Sequence, residues 1–143
     1  IAAGSDARTE DIRSDRPSTM PLAPMNESDA PNEELRQAWE YYHTPRAQYP
    51  TAPGFATLRS LNQIITYDAY QMAETYLTQP VQIVAGSAAG SKWMSDDLYD
   101  RAASGDKRYH VVDGANHMDL YDGKSYVTAA VSVLVPIIEE TLQ

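Results

Sequence analysis

The hydrophobic pattern of the first half of the chain is helical but interrupted. Ile1 to Arg13 mixes alanines with Arg8, Glu10, Asp11 and Arg13, which predicts a short charged helix. Residues 14–32 are rich in Pro, Ser, Asn and Asp and read as an extended loop. Asn32 followed by Glu33 and Glu34 is a helix start, because Asn can accept a first-turn N–H and acids favour the positive end of the helix dipole. Leu35, Ala38, Trp39 and Tyr42 fall on one face of that helix, which should run to about His43 before Pro45 stops it. Pro45, Pro50, Pro53 and Gly54 make residues 44–54 an irregular link. Residues 55–77 read as one or two helices, with Leu58, Leu61, Ile64 and Ile65 on one face. Tyr67, Tyr70, Met72 and Tyr76 continue it less regularly.

After Pro80 the pattern changes. Val81 to Gly86 is a short β-branched run ending in Gly and predicts a buried strand. Ser95-Asp96-Asp97 predicts the cap of a helix reaching about Ala103. Lys107 to Val112 predicts a second strand, closed by Asp113-Gly114. Residues 124–142 predict a final helix with Tyr126, Ala130, Val133, Leu134, Ile137 and Ile138 inward, kinked or split at Pro136. Strand, loop, helix, strand, loop, helix is the α/β pattern of parallel strands joined by right-handed crossovers. Two strands alone leave both sheet edges unpaired. The expectation is that the chain completes a larger sheet whose other strands lie elsewhere.

Composition narrows the partners. The formal net charge is -9, from 20 acidic and 11 basic residues, so neither nucleic acid nor an anionic membrane surface is an expected partner. The reading is a soluble acidic protein. The absence of cysteine excludes disulfides, thiolate metal sites and cysteine nucleophiles, and fits a cytoplasmic location. No apolar run approaches the roughly 20 residues that span a bilayer. The charged stretch from Ile1 does not read as a signal peptide, and an Ile start reads as a processed or trimmed chain. Ten Tyr against one Phe favour half-wet pockets. The three histidines lack a paired His-x-x-x-His spacing, so neither metal nor cofactor is expected.

The candidate chemistry centres on Val111-Val112-Asp113-Gly114-Ala115-Asn116-His117. His117 sits just past a strand end, where ligands collect in parallel sheets. There an imidazole can take a proton from a serine hydroxyl; the bland alternative is a loop histidine facing water. His43 at a helix end, Arg46 on a loop and His110 inside a strand have ordinary structural explanations. No Gly-x-Ser-x-Gly nucleophile elbow occurs, and Ser87 in Ala85-Gly86-Ser87-Ala88-Ala89-Gly90 has the wrong spacing and position to supply one.

Four stretches carry a family resemblance: Trp39-Glu40-Tyr41-Tyr42-His43-Thr44-Pro45-Arg46, Tyr67-Asp68-Ala69-Tyr70, Ala85-Gly86-Ser87-Ala88-Ala89-Gly90-Ser91 and Gly114-Ala115-Asn116-His117-Met118-Asp119-Leu120-Tyr121. Together the chain, from about Ala2 to Leu142, resembles a bacterial and fungal subfamily of α/β-hydrolases. These are dienelactone-hydrolase-like or acetyl-xylan-esterase-like and include polyketide transferases. The resemblance implies that residues 1–54 are a cap or lid segment with connecting loops. Residues 55–143 would be the C-terminal portion of the hydrolase core, with its last two parallel strands. It implies a Ser-His-acid triad acting on an ester, thioester or related acyl bond of a small molecule. His117 matches the family histidine, the general base. The serine would lie in an N-terminal half, the implied partner of this chain, which alone would be inactive. The triad acid could be Asp96 or Asp97, or lie on an earlier strand elsewhere; many relatives carry Asp where this chain has Gly90. The alternative for Asp96 and Asp97 is a favourable charge in a first helical turn. Trp39 and Tyr42 could shape an acyl pocket or simply pack the cap. An acyltransferase on the same scaffold, a non-catalytic hydrolase-like binding protein and a homodimer are the other readings.

Overall fold

The structure is a computed structural model describing residues 1–52 and 54–142; Pro53 and Gln143, which the expectations above include, lie outside the described residues. The chain is mixed α/β, with seven α-helices and two small two-stranded sheets among the described residues. It divides into two compact units, Ile1–Ala69 and Tyr70–Gln143, so residues 55–69 fold with the first.

In the first unit, helix α1 (Ala2–Asp11) buries Gly4 and Ala7 and exposes Asp6, Arg8 and Glu10, while the Asp11 side chain is covered. The extended loop expected after it contains strand β1 (Thr19–Pro21), which pairs antiparallel with β2 (Phe55–Thr57) through Thr19↔Thr57, Met20↔Ala56 and Pro21↔Phe55. This corrects the helix expected to begin at residue 55: three residues show no periodicity, and only a partner more than thirty positions away makes them a strand. Helix α2 (Glu33–His43) starts as expected, with Asn32 Oδ1 accepting from the Leu35 N–H at 2.9 Å. Glu33 pairs with Arg36 at 2.8 Å; that hydrogen bond, with one from Gln37, draws its carboxyl down to about 2. Beyond β2, the one or two helices expected over residues 55–77 give way in this unit to a 3-10 turn (Leu58–Ser60) followed by α3 (Leu61–Thr66). Ile64 and Ile65, expected on its apolar face, are exposed.

In the second unit, α4 (Ala73–Tyr76) follows Met72, whose φ of 65° is left-handed and ends any helix from upstream. Strands β3 (Val81–Gly86) and β4 (Lys107–Val112) occupy the predicted residues and pair in parallel, from Val81↔Lys107 to Gly86↔Val112. Between them lies α5 (Lys92–Arg101). Here the cap expected at Ser95-Asp96-Asp97 is overturned: the N-cap is Ser91, and the two acids sit inside the helix, past its first turn. Lys107 Nζ donates to the carbonyls of Tyr99 and Ala102 at 2.6 and 3.1 Å, placing a cation on the negative end of α5. A short α6 (Asp119–Asp122) leads into α7 (Lys124–Thr141). Helix α7 continues through Pro136 rather than breaking there. Ser132, whose carbonyl loses its donor, and Pro136 are both exposed, so water can satisfy the freed carbonyl.

The buried apolar set is small-sided. It comprises seven alanines with Ile83, Val112 and Met118, and no large side chain among the described residues is fully buried. Val111 on β4, Val131, Val135 and Ile138 along α7, and Leu142 just after it are exposed; for Ile138 this corrects the inward position expected from the helical spacing. Among the described residues no helix is long and apolar enough to cross a membrane.

Candidate functional site

The site forms at the carboxyl ends of β3 and β4, where two loops lie against each other. Gly86 ends β3 with no room for a side chain: a Cβ there would lie 2.1 Å from the Ala115 carbonyl oxygen. This close approach lets the backbone of one loop bond the other. Ser87 N–H donates to the Val112 carbonyl and Ala88 N–H to that of Ala115, each at 2.9 Å. Ser87 Oγ donates to Asp113 Oδ1 at 3.1 Å and accepts from Gly114 N–H at 2.8 Å. Gly114 turns the chain at a φ of 73°, a conformation glycine adopts freely. Ser87 is therefore a loop fastener.

Beyond Gly114 the chain is held by a reciprocal clasp. Asn116 N–H donates to Asp119 Oδ2 at 3.0 Å, and Asp119 N–H donates to Asn116 Oδ1 at 2.9 Å. His117 sits between these two residues, half-buried, and Met118 beside it is buried. The imidazole is gripped on both nitrogens. Nδ1 lies 2.9 Å from Ser91 Oγ, which arrives from the loop after β3. Nε2 lies 2.6 Å from the Tyr121 hydroxyl, and the Tyr121 ring meets the imidazole edge-on at 5.2 Å. The structure thus ties the expected histidine to two hydroxyls that the sequence pattern did not single out.

Asp96 and Asp97 make their hydrogen bonds elsewhere. Asp96 Oδ1 accepts from Lys92 Nζ at 2.7 Å and from the Tyr109 hydroxyl at 2.8 Å. These two bonds hold its carboxyl below the usual carboxylate range. Burial and the neighbouring carboxylate push Tyr109 up, and Lys92 is raised chiefly by its bond to Asp96. Asp97 Oδ2 accepts from Arg101 at 3.3 Å. Both acids thus join ion pairs along α5, one turn apart from their basic partners.

The first unit carries an open cavity of about 1070 Å³, lined by Leu22, Met25, Tyr42, His43, Tyr49 and Phe55 among others. Tyr42, expected at a pocket, lines it; Trp39 is half-buried on α2 and is not in its lining. His43 Nε2 is buried and finds no hydrogen-bond partner among the described residues. Those residues form no cluster of His and carboxylate groups suited to a metal ion.

No protein-family model matches the chain. It is 81% identical over 142 residues to the uncharacterized protein YcjY of Escherichia coli, a match covering 99% of this chain and 46% of that protein. It is 30% identical over 87 residues to the uncharacterized protein PA2218 of Pseudomonas aeruginosa, covering 58% of this chain and 23% of that one. The chain thus spans less than half the length of the curated relatives it matches. The crystal structure of hypothetical protein PA2218 superposes with a TM-score of 0.79 at 23% identity, over 96% of this chain and 43% of that one. The structure of DcsB in complex with its substrate analogue gives 0.77 at 12% identity, over 96% of this chain and 48% of that one. This chain shares its fold with parts of both.

Proposed function

We propose that these residues are the C-terminal part of a serine-type α/β-hydrolase that cleaves an ester, thioester or related acyl bond. The observation carrying this reading is the position of His117. It lies past the carboxyl end of β4, on a loop clamped to the neighbouring parallel strand, with its ring tethered rather than free in solvent. That is the placement a general base at a parallel sheet edge requires. Two further findings support it: the chain shares its fold with structures about twice its length or more, and one of them was solved with a substrate analogue.

In this reading the nucleophilic serine and the oxyanion-binding N–H groups belong to sequence preceding these residues in the whole protein. His117 Nε2 takes the serine proton as the hydroxyl attacks the acyl carbon, then returns it to the leaving group. For that the ring must be neutral with its remaining proton on Nδ1. Tyr121 must also release Nε2 to the serine. Transfer of the acyl group to an alcohol or amine uses the same acyl-enzyme, so an acyltransferase is the companion reading.

The test is hydrolysis of p-nitrophenyl acyl esters by the natural full-length chain and its His117→Ala variant. The expected result is turnover in the parent and a loss of about a thousandfold or more in kcat in the variant. Equal rates would overturn the proposal, as would no turnover of any acyl ester or thioester by the parent.

A further inference from the structure

A serine at a helix N-cap ordinarily turns its hydroxyl onto an N–H of the first turn, which stabilises the helix. Ser91 occupies the N-cap of α5 and makes no such bond. Its Oγ points across to β4's loop and meets His117 Nδ1 at 2.9 Å, a partner 26 residues away. A local bond worth having is left unmade in favour of one on the imidazole.

We infer that Ser91 is the positioning residue of His117, holding Nδ1 in place of the carboxylate that a Ser-His-acid triad employs. This inference rests on the hydrolase reading above and adds what orients its base. Three observations carry it. First, Ser91 comes from the loop after β3, the parallel neighbour of the strand that delivers His117, so two adjacent strand ends converge on one ring. Second, the carboxylates near the two loops bond other groups: Asp96 and Asp97, the acids nearest Ser91 in the chain, accept from Lys92, Tyr109 and Arg101, Asp113 accepts from Ser87 Oγ, and Asp119 accepts from the Asn116 N–H. Third, the two hydroxyls on the ring differ in acidity. A phenol gives up its proton more readily than an aliphatic alcohol, so Tyr121 donates to Nε2 at 2.6 Å and Nδ1–H donates to Ser91 Oγ. That sets the tautomer with a bare Nε2 once Tyr121 moves aside, which is the form a general base needs.

A hydroxyl on Nδ1 fixes the tautomer as a carboxylate does, but it adds no negative charge to stabilise the imidazolium that forms when Nε2 takes a proton. A base oriented this way is correctly aimed and modest in strength.

The experiment uses the natural full-length chain with 15N-labelled histidine, and compares parent, Ser91→Ala and Ser91→Thr. It reads two quantities: the His117 ring tautomer from its nitrogen shifts at a pH where the ring is neutral, and kcat and KM on a p-nitrophenyl ester. The expected result is a predominantly Nδ1–H ring in the parent and in Ser91→Thr. Ser91→Ala should lose that bias and lower kcat about three- to tenfold with KM little changed. An Nδ1–H fraction and kcat unaltered in Ser91→Ala would overturn the inference even if His117→Ala is inactive, leaving the hydrolase reading intact. A shifted tautomer in Ser91→Ala, alongside a parent with no acyl hydrolysis, would retain the orienting contact and overturn the hydrolase reading.

Discussion

Tyr121 and Ser91 hold the His117 imidazole from opposite nitrogens, but they do not play equivalent parts in the proposed chemistry. Ser91 occupies the nitrogen that must keep its proton, and Tyr121 the nitrogen that must accept one. Tyr121 is 51% exposed on a helix of four residues, so it can rotate away at modest cost. In the proposed chemistry its role is to fill Nε2 between turnovers, and Tyr121→Phe should then leave kcat within about threefold of the parent or raise it. A drop beyond about tenfold, seen in the same ester assay, would show instead that the Tyr121 hydroxyl takes part in the reaction. His117 was legible in the sequence because a strand, a Gly-bearing turn and a histidine follow one another directly. Ser91 was not legible, because a serine near a helix start has a sufficient local explanation and its true partner is distant in sequence. Asp96 and Asp97 attracted attention for the opposite reason: their residue type suited an acid role, yet Lys92 and Arg101, four residues away on the same helix, engage them.

Among the elements, the two parallel strands were legible residue for residue, since β3 is a short β-branched run ending in glycine and β4 ends in Val111-Val112 before the turn Asp113-Gly114. The antiparallel pair β1–β2 was not, because three-residue strands carry no period and depend on each other. The site depends on how closely the loops after β3 and β4 approach, and Gly86 is where that approach is tightest. Gly86→Ala would drive a methyl group into the Ala115 carbonyl. The expected result is a loss of about 1–3 kcal/mol in urea denaturation together with impaired esterase activity; an unchanged midpoint and rate would contradict the close approach. Asn32→Ala removes the α2 cap, far from His117 in the chain. It should cost about 1 kcal/mol with kcat untouched. The pair of variants separates site geometry from general stability by the same two measurements.

Across the whole molecule, the carboxylates set the response to acid. Glu33 titrates at about 2 in the folded chain against an ordinary 4.5, drawn down by Arg36 and Gln37. A depressed folded value means that the stabilisation is fully present above about pH 4.5 and is lost as the pH falls toward 2. Asp96 acts in the same direction through Lys92 and Tyr109. Replacing Glu33 with Gln should therefore flatten the fall in melting temperature over that window; an unaltered acid limb would contradict the pairing with Arg36. At the same scale, the small-sided interior, the exposed apolar residues of α7 and the two-stranded parallel sheet agree with a structure that is part of a larger body. The expectation of a larger sheet came from counting two convincing strands in 143 residues; which hydroxyls would surround His117 could not be foreseen. The most direct test of the central claim is to treat the natural full-length chain with a fluorophosphonate, which bonds an activated serine, and to map the modified residue by peptide mass spectrometry. The account predicts one adduct, on a serine outside the residues described above, formed far more slowly in His117→Ala. An adduct on Ser87 or Ser91, or labelling as fast in His117→Ala as in the parent, would contradict it.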